Sequence, residues 1–139
     1  MVKALIIQEA SRHKENFEYR ECFAVQDAFM RNGWSAEVWG LGHENFNTEP
    51  DFAAYDLIFI LENYSFDWLP DWSKIDSFKV QWIIDAHCAD LTNYIKVSNS
   101  CDVVLHSTKC LIEDYKKYTT YQKHIWFPNG FNDQLFYNQ

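Results

Sequence analysis

The stretch VKALIIQ, residues 2–8, decides how the chain is read, because Ala4 to Ile7 form an unbroken apolar run behind a single lysine. A strand with one wet face alternates apolar and polar residues. An unbroken run marks a strand buried on both faces, as in a parallel sheet covered by helices on each side. Working outward, further short apolar stretches read as strands: WSAEVWG (34–40), YDLIFILEN (55–63), FKVQWIIDAH (78–87), CDVVLHST (101–108) and HIWFP (124–128). Between the first two runs, YRECFAVQDAFMRNG (19–33) carries Cys22, Val25, Phe29 and Met30 at helical spacing, with Gly33 as its stop. ADLTNYIKVSNS (89–100) and TKCLIEDYKKY (108–118) read as two further helices. Thr108 is placed to cap the latter, and Lys116 and Lys117 suit the negative end of its dipole. Strands alternating with helices imply right-handed crossovers. The expectation is an α/β fold: one Rossmann-like domain over residues 1–139, with a doubly wound parallel sheet of about six strands.

Composition narrows the function. At 139 residues the chain suits one domain able to bury roughly two-thirds of its unfolded surface, so no staple is required. Aromatic residues make up 18% of it, more ring surface than such a core needs, which points to rings lining a cleft or an interface. A formal charge of −8 argues against nucleic acid and anionic membranes as partners. No 18-residue apolar run offers a membrane span, and MVKALIIQEA turns polar too soon for a signal peptide, so a cytosolic protein is expected. Cys22, Cys88, Cys101 and Cys110 lack a CxxC spacing and read as small buried residues. A zinc site can be drawn from His87, Cys88, His106 and Cys110, but no regular ligand spacing supports it, so no metal is expected. No internal repeat or domain boundary is evident. HENFNTEPDFAA and YSFDWLPDWSKID read as long surface connections, which often carry function.

In open parallel sheets the ligand crevice lies beyond the carboxyl ends of the strands. The residues there are Glu9, Arg12, His13, Lys14, Asn16, Tyr19 and Arg20 after the first strand, and His43 and Asn45 after the second. Glu62, Asn63 and Tyr64 follow the third, and Asp85, His87 and Cys88 the fourth. His106, Ser107 and Thr108 follow the fifth, and Pro128, Asn129 and Gly130 the sixth. Caps and turns explain any one of these positions; their joint concentration at one sheet edge suggests a site. Asp85 and His87 at i, i+2 share one side of an extended segment and could form an acid/base pair, although Asp85 could equally cap the next helix. GLGHEN lacks the third glycine of a dinucleotide loop, GxxxxGK[ST] is missing, and no nucleophile-elbow glycine follows Ser107. No cofactor is therefore expected.

Taken in order, MVKALIIQEA, GWSAEVWGLG, YDLIFILENY, WIIDAHC, VVLHSTK and IWFPNGFND resemble the N-terminal domain of GT-B glycosyltransferases, closest to bacterial and phage family 1/4-type enzymes. The likeness spans essentially the whole chain, and its sharpest elements are DAH, HST and PNGFN. It implies that PNG is a hinge toward a second, donor-binding domain that this sequence lacks. It implies that Glu9, Arg12, His13, Asn16, Tyr19 and Arg20 face an acceptor, that Asp85 and His87 border the interdomain cleft, and that Asn129 and Gly130 approach the donor phosphates. Glu62, Asn63, His106, Ser107 and Thr108 complete the expected substrate-binding set, with His87 and Asp85 as catalytic candidates. A sugar nucleotide would then be a substrate, and the isolated chain would be inactive without its second half. A different reading makes the chain a stand-alone protein that sequesters a nucleotide or nucleotide-derived signal, with Arg12, His13, Lys14, Arg20, His87 and His106 supplying local positive potential and Tyr64, Trp68 and Trp72 stacking on a base. A third makes YSFDWLPDW a protein-binding surface. Uncovered apolar surface would favour a homodimer.

Overall fold

A computed structural model describes residues 1–85, 91–120 and 122–130. Nine elements of regular structure follow in order: β1 (Lys3–Ile7), α1 (Glu21–Arg31), β2 (Ser35–Trp39), β3 (Leu57–Ile60), β4 (Phe78–Ile83), α2 (Leu91–Ser98), β5 (Val103–His106), α3 (Ile112–Tyr115) and β6 (Lys123–Trp126). The strands form one six-stranded sheet in the order β2-β1-β3-β4-β5-β6. Every pairing is parallel. The expected α/β, Rossmann-like single sheet is what the chain builds.

The winding reverses at β1. The step from β1 to β2 runs one way and all later steps run the other, so α1 packs on one face and α2 and α3 on the opposite one. On the first face, Ala4, Ile6, Val38, Phe59 and Leu61 bury against Cys22, Phe23, Val25 and Phe29 of α1. On the second, Leu5, Ile7, Ile58 and Ile60 pack with Val97 of α2, and Val104 and Ile83 pack with Tyr94 and Tyr115. Alternate residues of the same strand thus serve both cores, which is why Ala4–Ile7 of β1 and Leu57–Ile60 of β3 are continuously apolar. α1 ends where expected, at Gly33, whose φ of +79° few side-chain-bearing residues adopt. The third predicted helix is shorter than its periodicity suggested. A 3-10 turn (Lys109–Leu111) precedes the single α-turn of α3, and the Thr108 side chain makes no capping bond. Lys116 and Lys117 instead pair with Glu113 and Asp114, three residues back, at 2.8 and 2.6 Å.

Two crossovers, β2 to β3 and β3 to β4, contain no α-helix. Each is an irregular loop ending in a 3-10 turn, Phe52–Ala54 or Trp72–Lys74. These loops were expected at the surface. Instead their Phe46, Phe52, Phe66, Trp68, Leu69 and Trp72 pack onto the second face of the sheet, in place of the missing helices. This accounts for much of the aromatic excess. A short repeat, unnoticed in the bare sequence, also emerges. PDFAAYD (50–56) and PDWSKID (70–76) adopt the same conformation. Asp51 and Asp71 cap the turns by accepting from Ala53 and Ser73 N–H at 3.2 and 3.3 Å, and the Phe52 and Trp72 rings meet edge-on at 5.8 Å.

At the β6 edge, Ile125, Trp126 and Phe127 remain between 36% and 49% exposed. Cys22 and Cys101 are buried as expected, and burial pushes both thiols up to about 12. Cys110 is exposed, contrary to the expectation: it lies on the 3-10 turn Lys109–Leu111, which buries none of its residues. Among the described residues no helix is long and apolar enough to cross a membrane.

Candidate functional site

The reversal of winding leaves a crevice beyond the ends of β1 and β3, where doubly wound sheets bind ligands. A cleft of about 610 Å³ opens there. Its walls are Gln8 after β1, Arg12, Arg20 and Glu21 from the loop and start of α1, Glu62 to Asp67 after β3, Ile84 and Asp85 after β4, and Asn93 and Tyr94 of α2.

Several polar strand ends are spent on building this crevice. Glu9 is 6% exposed, and its carboxylate accepts from Ser65 N–H and Oγ, both at 3.2 Å, and from Trp68 Nε1 at 3.3 Å. It therefore fixes the start of the β3–β4 loop. Asn63 accepts from Glu9 N–H at 2.6 Å and donates to Leu61 O at 2.9 Å, joining the ends of β1 and β3. Glu62 accepts from Ile84 and Asp85 N–H at 3.0 and 2.7 Å and from the Tyr94 hydroxyl at 2.5 Å, which joins β3, β4 and α2. Burial, then that hydrogen bond, push the Tyr94 phenol far above its usual range, so it stays a donor. Gln8 donates to Glu21 at 2.8 Å and accepts from Cys22 N–H at 2.9 Å, holding the first turn of α1. Buried polar groups tied on every side in this way make a rigid floor.

The groups left to face a ligand lie above that floor. Tyr64 is 49% exposed, with the Arg12 guanidinium 4.3 Å and that of Arg20 4.8 Å from its ring centroid. Arg20 is held by Glu9 O at 3.2 Å, the Tyr64 hydroxyl at 3.0 Å and Glu21 at 3.5 Å. Arg12 makes no ion pair among the described residues and is exposed. Asp85 and Asn93 are exposed at the far rim.

The remaining predicted site residues do not converge on this cleft. His13 and Asn16 lie exposed on the 3-10 turn Lys14–Tyr19 and its approach, and His13 is paired with Glu15 at 3.9 Å. Tyr19 is exposed on the same turn. His43 is 9% exposed, and its Nε2 donates to Gln8 O at 3.0 Å. His106 faces α3 instead: it is 2% exposed, with its Nε2 2.9 Å from Nδ1 of His124. Burial, then His124, lower its pKa to about 4, so it supplies no positive potential. Ser107 bonds to Asn129, and with Thr108 and Gly130 it stands at the β5 and β6 ends, away from the cleft walls. His87, paired in prediction with Asp85, lies outside the described residues, as does Cys88. Trp68 and Trp72, expected to stack on a base, are core residues. Glu21, Ser65, Phe66, Asn93 and Tyr94 were not anticipated. Only YSFDW, flagged as a loop, hinted at two of them.

No group of three or more His, Cys, Asp or Glu side chains able to hold a metal occurs among the described residues. The chain matches no known family model and no curated protein sequence.

Proposed function

We propose that the cleft binds an uncharged, hydroxyl-rich acceptor and that the chain acts as the acceptor-side domain of a sugar-nucleotide-dependent glycosyl transfer. A second Rossmann-like domain would supply the donor side and the groups that stabilise the departing diphosphate. The observation that carries the reading is the charge of the walls. Glu21, Glu62, Asp67 and Asp85 outnumber Arg12 and Arg20. A nucleoside diphosphate needs the opposite balance. Carboxylates and amides beside the Tyr64 and Phe66 rings suit a sugar, whose hydroxyls take hydrogen bonds while its C–H face lies on a ring. In this arrangement Arg12 and Asp85 touch the ligand, while Glu9, Glu62 and Asn63 hold the walls. Asp85 is the carboxylate placed to accept an acceptor hydroxyl proton.

The sequestering alternative draws support from one feature, the Arg12–Tyr64–Arg20 stack, which could hold an anion against a ring. The test is a ¹⁵N-HSQC titration of the whole chain with glucose, maltose, N-acetylglucosamine, UMP and UDP-glucose. The expected result is saturable shifts at residues 62–67 and 84–85 with a saccharide, weakened by Asp85→Asn. Tighter binding of UMP, abolished by Arg12→Ala, would overturn the acceptor reading in favour of nucleotide capture.

A further inference from the structure

Beyond Asn93 the cleft does not close. A second cavity of about 440 Å³ continues along α2, and Phe66, Asp67 and Asn93 line both. Its own walls are Leu69 to Trp72 on one side and Lys96, Val97 and Ser100 on the other. The helix and the β3–β4 loop thus bound a groove leading from Tyr64 at the switch point to Lys96. This course arises because the crossover carries a loop instead of a helix.

The groove wall has an unfinished feature. Among the described residues, Trp72 Nε1 is the one buried side-chain nitrogen or oxygen without a hydrogen-bond partner, and Trp72 is 4% exposed. An orphan donor of this kind costs free energy, whereas the other buried polar groups of the site are satisfied. Its N–H is screened from solvent, so an acceptor reaches it only if the 70–72 segment shifts. The remaining polar groups, Asp67, Asp71, Asn93, Lys96 and Ser100, mix donors and acceptors instead of clustering one charge, with Asp71 already held by Ser73 and Lys74.

We infer that the two cavities form one elongated groove that takes a chain of several linked hydroxyl-rich units, the first at Tyr64 and Asp85 and the later ones between Trp72 and Lys96. This rests on the acceptor reading above and adds the length of the ligand. Each further unit meets further polar partners among Asn93, Lys96 and Ser100, so affinity rises with chain length until the groove is full.

The test uses the whole ¹⁵N-labelled chain and two series, glucose to maltotetraose and N-acetylglucosamine to its tetramer. In at least one series, Kd falls fivefold or more from one unit to three. The Lys96 amide and the Trp72 indole N–H shift only with the longer members. Ser100→Phe, which blocks the far cavity at a site outside the first, removes the length dependence and leaves single-unit binding within twofold. Binding of one unit as tight as of three, with Lys96 and Trp72 unmoved, overturns the groove while leaving the acceptor site intact. Absence of shifts at residues 62–67 with every member of both series overturns the acceptor reading and the groove with it.

Discussion

Replacing Glu62 is the sharpest test of how the site is held. Its carboxylate accepts three hydrogen bonds, two from consecutive backbone N–H groups at the β4 exit and one from buried Tyr94. Glu62→Gln keeps the shape. The amide oxygen can face the Ile84 and Asp85 N–H groups, and its NH2 can donate to the Tyr94 oxygen, so only charge assistance is lost, about 1 kcal/mol. Glu62→Ala leaves three groups without a partner. With roughly 1–3 kcal/mol for each unsatisfied buried group, discounted because water can enter the open cleft, the expected loss is about 2–4 kcal/mol. A domain of this size has only about 5–15 kcal/mol in hand. Urea unfolding at pH 7 separates the two variants through their midpoints, provided the m-values match. Tyr94→Phe should cost about 1 kcal/mol alone and much less in the Glu62→Ala background, because the two share one bond. If Glu62→Ala and Glu62→Gln unfold within about 0.5 kcal/mol of each other, the carboxylate is not what joins β3, β4 and α2, and the rigid floor is wrong.

Other expectations concern charge, backbone and ligand. His106 and His124 both have depressed pKa values, through burial first, so the unfolded chain binds more protons as the pH falls from an ordinary 6.5 toward the folded value of about 4 for His106. Stability should therefore be complete above pH 6.5 and decline through that window, by up to about 3 kcal/mol for His106. A melting temperature flat between pH 7 and 4.5 would rule this out. Gly40→Ala places a Cβ 2.2 Å from Gln8 O, between the ends of two buried strands, so it should destabilise by about 2 kcal/mol or more in denaturant unfolding. Arg12→Ala should leave the unfolding midpoint unchanged, since Arg12 is exposed, yet weaken saccharide binding about fivefold by calorimetry. A shifted midpoint would make Arg12 structural.

The parallel sheet was legible chiefly in β1 and β3, whose runs Ala4–Ile7 and Leu57–Ile60 are apolar throughout because both faces are covered, while β4 keeps Lys79 and Gln81 buried and β6 stays largely exposed. The end of α1 was legible too, since Gly33 supplies a backbone conformation other residues resist. Polar strand ends could be located but not interpreted. A carboxylate at a strand tip reads alike whether it meets a ligand or a neighbouring loop, and Glu9 and Glu62 turned inward only because partners 56 and 22 residues away arrived beside them. The repeated Pro-Asp-aromatic module carries little signal in the sequence, since its seven residues share three identities and only the common turn relates them.

Local pattern therefore determined which segments are strands, which faces they bury and at which edge the polar groups gather. Tertiary structure alone decided which of those groups remain free. That choice depends on hydrogen bonds between segments far apart in sequence, and no short window contains both partners. The same holds for the two cavities beside α2, whose shared walls Phe66, Asp67 and Asn93 come from segments far apart in sequence.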